Sequence, residues 1–110
     1  MILEDRTAQK FETVTVATTA GVGFNATSIA PTSGPLKNNK CREVFATLEV
    51  ADIRFRVDGP DPTSTTGHRL YEGQNLTLKN IDDIVNFKAI MVDNSATLND
   101  LGKLIASYRF

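Results

Sequence analysis

Tryptophan is absent from this 110-residue chain, and cysteine and histidine occur once each. With Cys41 alone, no internal disulfide and no CxxC metal site can form. Lys40 and Arg42 flank it, but neighbouring residues of a strand point to opposite faces, so a small buried thiol is expected rather than a nucleophile. The lone His68 excludes a histidine-rich metal site, and no nucleophile motif lies near it to complete a triad. Aromatic residues are few, with six Phe and two Tyr, which disfavours carbohydrate binding by stacking platforms. There is no GxxxxGK[ST] and no GxGxxG, so a phosphate cradle is not expected. No apolar run approaches the roughly 18–20 residues of a membrane helix. Residues 1–10 mix Glu4, Asp5, Arg6 and Lys10 and do not read as a signal peptide, so synthesis in a cytosol and a soluble product are expected.

Charge is scarce in net terms as well. Twelve Lys and Arg offset thirteen Asp and Glu, leaving a formal charge of −1. Such a balance gives no electrostatic case for nucleic acid or for an anionic membrane surface. Hydrophobic residues at 41% and charged residues at 23% are ordinary globular values. The length suits one thin-cored domain.

What is present is alternation with period two, the mark of a half-buried strand. Val44, Ala46, Leu48 and Val50 alternate with Phe45, Thr47 and Glu49. Ile53, Phe55 and Val57 alternate with Arg54 and Arg56, either in a second strand or beyond a bend near Ala51 and Asp52. Val14 and Val16 sit among β-branched threonines. Leu76 and Leu78 form a further set; Val85, Phe87, Ala89 and Met91 another; Leu104, Ala106, Tyr108 and Phe110 the last. Turn chemistry separates them at 20–23, 31–39, 58–67, 72–74 and 93–95. No segment of ten residues has convincing helical periodicity; the best helical candidate is 81–87.

The pattern predicts an all-β, single-domain β-sandwich or jelly roll of about seven or eight short antiparallel strands, spanning residues 11–110 after a flexible arm at 1–10. The expected core is Val44, Leu48, Ile53, Phe55, Val57, Leu76, Leu78, Phe87 and Tyr108.

No catalytic residue, cofactor or metal ligand is assigned. The turn carboxylates Asp58, Asp61, Asp82 and Asp83 lack the spacing of a calcium loop. An enzyme would have to use Glu49, His68 or Asp83 in a cleft. Asn25 and Asn75 match the N-glycosylation acceptor, expected to be chance without a secretory signal. The expected contact residues belong to the two longest loops and the strand beside them. They are Pro35 and Lys37 in the first loop, Asp58, Asp61 and Pro62 in the second, and Arg54 and Arg56 on the adjoining strand. The prolines stiffen these loops and reduce the entropy lost on binding.

Residues 45–92 resemble small bacteriophage virion proteins of the capsid decoration, or cement, type. The resemblance runs through the strand with alternating Arg54 and Arg56, the turn and strand of Gly67, His68, Leu70, Gly73, Leu76 and Leu78, and a strand expected from Asp82 to Ile90. It implies a compact sandwich on the outside of a virion shell. There it would clamp neighbouring major capsid subunits as a homodimer, with no nucleic acid, membrane or small-molecule substrate as partner. The rival expectation is a receptor- or glycan-binding module of a tail fibre or baseplate.

Overall fold

Strand formation follows the alternation closely in the long strands and less closely in the short ones. The computed structural model describes residues 8–34 and 36–110. Its strands are β1 Ala8–Thr15, β2 Glu43–Glu49, β3 Ile53–Arg56, β4 His68–Leu70, β5 Asn75–Leu78, β6 Lys88–Met91 and β7 Lys103–Arg109. Two short helices, α1 Ala26–Ile29 and α2 Ile81–Asn86, interrupt them. All pairings between strands are antiparallel. One sheet has the order β1-β7-β2-β5 and the other β4-β3-β6. The protein is thus a small all-β domain of two sheets over one core. β1 begins at Ala8, inside the stretch expected to be an arm; residues 1–7 of that stretch lie outside the described residues.

The chain changes sheet four times between β2 and β7, and the first two changes are tight corners. Between β2 and β3 it turns at Val50, which is 41% exposed and holds φ at 83°. A β-branched residue rarely adopts that conformation. Between β4 and β5 it turns at Gly73, with φ 89°, where glycine carries no Cβ penalty. The corners are bonded together. Gly73 N donates to Leu48 O at 2.8 Å, and Leu48 N donates to Gln74 O at 2.9 Å. Asp52 accepts from Glu72 N at 2.8 Å and pairs with Arg69 at 3.0 Å.

Six of the nine expected core residues are buried: Val44, Leu48, Ile53, Leu78, Phe87 and Tyr108. Phe55, Val57 and Leu76 pack against the core only in part. Phe24 stacks on Phe87 with ring centroids 4.5 Å apart and meets Tyr108 edge-on at 5.7 Å. Phe55 lies 5.6 Å from Phe87. The Tyr108 hydroxyl donates to Glu12, and burial together with that carboxylate raises its pKa far above the usual tyrosine range. Cys41 is buried, and burial raises its thiol pKa.

The expected strand from Asp82 to Ile90 is corrected. Residues 81–86 are helical and the strand starts at Lys88. Asn80 caps the helix by accepting from Asp82 N at 2.8 Å, and Asp82 and Asp83 sit in the positively polarised first turn. Val85, read as part of an alternating set, is 57% exposed on the helix, while Ile84 is buried.

Candidate functional site

The loop 57–67 between β3 and β4, together with Arg54 and Arg56 of β3 beside it, gathers four of the five charged residues singled out from sequence. Arg54 points along the outer side of β3 and closes the loop on itself. Its Nε donates to Ser64 O at 3.0 Å and its Nη1 to Gly67 O at 2.9 Å. Thr63 and Thr66 exchange backbone hydrogen bonds at 3.0 and 3.2 Å, forming a turn between these anchors. Arg56 makes a bidentate pair with Asp58 at 2.8 and 2.5 Å. That pair lowers the Asp58 pKa and raises that of Arg56.

Asp61 ties the loop to the rest of the molecule. It accepts from Gly21 N at 3.2 Å and lies 3.7 Å from Lys88 Nζ. A Cβ on Gly21 would come within 2.6 Å of the Asp61 carboxylate, so glycine permits this approach. Pro62 is buried, and its Cβ would sit 3.1 Å from a Cβ placed on Gly67, whose φ is 129°. His68 is exposed at the start of β4, its ring 5.4 Å from that of Phe55. Arg56, Val57, Asp58, Thr66, Gly67 and His68 line a shallow open cleft.

The structure therefore brings Asp58, Asp61 and Pro62 of the loop together with Arg54 and Arg56 of β3, which pin it. Lys37 is elsewhere, exposed in the turn 36–38 of the other long loop. That loop closes through Lys37 N to Gly34 O at 3.1 Å and Asn38 N to Pro31 O at 3.2 Å. Pro35 lies outside the described residues. Lys37 shares no hydrogen bond or ion pair with the 57–67 cluster among the described residues. Among those residues, no group of three His, Cys, Asp or Glu side chains could hold a metal ion, and no helix is long and apolar enough to cross a membrane.

Sequence reading missed a second surface. Val14, Val44, Ala46, Leu48, Leu104, Ala106 and Tyr108 fill the inner face of the four-stranded sheet. The outer face then carries Phe11, 67% exposed, and Phe45, 37% exposed. Cross-strand register sets these residues in rows. Phe11, Ser107, Phe45 and Thr77 form one row, and Thr13, Ile105, Thr47 and Asn75 the next. Arg109 with Glu43 bounds them on one side, Lys103 with Glu49 on the other. The signal was present in the sequence: Phe45 and Ile105 are apolar at positions where the alternation assigns solvent.

A two-sheet antiparallel β domain with pinned surface loops is the class that fold and site define. No family model, curated protein or solved structure matches the chain.

Proposed function

We propose that this protein is a non-catalytic structural module that decorates the exterior of a bacteriophage capsid and clamps neighbouring major capsid subunits. The observation that carries the reading is the pinned loop 57–67. Two arginines and Asp61 hold it to its own backbone, to its flanking strand and to Gly21 and Lys88. A loop ordered before binding loses little conformational entropy when a partner covers it. A weak contact repeated by shell symmetry then becomes firm attachment through effective concentration. The likeness of residues 45–92 to phage decoration proteins supplies the partner class.

The test is a protein inventory of purified virions. The proposal expects hundreds of copies per particle, removable from the outside without opening the shell. Protein confined to infected cytosol overturns it. Low copy number, trimeric assembly and binding to host cells identify a tail-fibre or baseplate module in its place. A variant with residues 61–65 replaced by a Gly-Ser linker should fold and lose affinity for shells stripped of the protein.

A further inference from the structure

We infer that the outer face of the four-stranded sheet is a self-association surface, packing face to face with a second copy about a two-fold axis parallel to the strands. The inference does not depend on the capsid reading above.

The face has an uncharged centre of two rows between two charged rows. The centre is Phe11, Ser107, Phe45 and Thr77, then Thr13, Ile105, Thr47 and Asn75. The charged rows have the same polarity: in both, β7 carries the cation and β2 the anion, as Arg109 with Glu43 and Lys103 with Glu49. In the sheet order β1-β7-β2-β5, β7 and β2 are the two central strands. A two-fold axis running between them along the strands exchanges their positions. It lays each Lys103 over Glu49 of the second copy and each Arg109 over Glu43 of the second copy. It also lays Ile105 over Thr47 and Phe45 over Ser107. A two-fold axis across the strands inverts the rows instead. It sets Lys103 over Arg109 and Glu43 over Glu49, all like charges. The charge pattern thus selects one of the two symmetric packings, and a closed dimer is its product.

Lys103 is half-buried and enters no ion pair among the described residues. Four strands about 4.8 Å apart and seven residues rising about 3.3 Å each give a projected face of roughly 450 Å². That is about half of the ~800 Å² per partner of a standard interface. The expected dimer is accordingly small and reversible.

Sedimentation equilibrium of the full chain from about 1 μM to 500 μM should show a monomer–dimer equilibrium that weakens at high salt. Lys103→Glu and Glu49→Lys should each weaken the dimer at least tenfold, and the double variant should restore it. Thr47→Lys, which puts a charge in the neutral centre, should abolish it while the monomer's circular dichroism stays unchanged. A monomer at every concentration, or a dimer indifferent to all four variants, overturns the inference. The same holds for a dimer that appears only when residues 1–7 are removed, because that segment would then be the native cover of the face.

Discussion

At the scale of single residues, depth of burial separates side chains that the alternation ranks together. Phe87 is fully buried and stacks on Phe24, whereas Phe55, on a short strand with a partly open face, is only half-buried. Phe87→Ala is expected to cost about 3–5 kcal/mol, as truncation of a buried Phe does, and Phe55→Ala about 2 kcal/mol. Urea titrations of both variants measure this. Equal losses would mean that the two rings are equivalent in the core. Tyr108 shows the same dependence on depth in a polar group: its hydroxyl is retained inside because it donates a hydrogen bond to the Glu12 carboxylate.

At the scale of elements, Asp52 joins the β2–β3 corner to the β4–β5 corner. Its carboxylate accepts from Glu72 N and pairs with Arg69, and those two interactions lower its pKa. A carboxyl depressed in the folded state stabilises the fold above its unfolded pKa of about 3.9 and loses that contribution as pH falls through the folded value. Asp52→Asn should therefore lower the urea midpoint at pH 6–7. The gap to the parent should close as pH falls below about 4. A gap that stays constant to pH 2 would show that the carboxylate's charge has no part in holding the corners. The helices obey element-scale rules too. Asn25 and Asn80 each cap a short helix by accepting an amide two residues on, a local bond that makes six residues or fewer helical inside a β fold.

At the scale of the whole molecule, the first strand pairs with the last. β1 lies against β7 from Ala8↔Arg109 to Thr15↔Lys103, and β7 is in turn central to the larger sheet. Most stabilising pairings are therefore remote in sequence, and their loops must close before the contacts form. Refolding is expected in the millisecond-to-second range, as for other sandwiches of high contact order. Stopped-flow fluorescence of the two tyrosines would follow it, and microsecond folding would imply that local pairs such as β3–β4 dominate the barrier.

The sequence by itself determined the class of fold, because a period of two in Val44–Leu48 and Leu104–Tyr108 admits only a strand with one buried face. It also determined six of the nine expected core residues and the bounds of the loop between β3 and β4 and of the turn before β5. The helix at Ile81–Asn86 was legible only as the best helical candidate, 81–87, in competition with a strand, since six residues are fewer than two turns and Val85, Phe87 and Ala89 mimic alternation. The assignment of strands to sheets was not legible: β2 and β3 look like one run, and only the left-handed turn at Val50 sends them to different layers. The candidate surfaces divide in the same way. Arg54, Arg56, Asp58 and Asp61 could be named from sequence, but the pairing that turns them into a pinned loop depends on where Gly21, Ser64 and Lys88 arrive in space. Phe11, Phe45 and Ile105 are scattered along the chain and become one face only when β7 lies between β1 and β2. Register is a property of paired strands, and a single strand's alternation fixes which residues share a face but not which strand lies beside it.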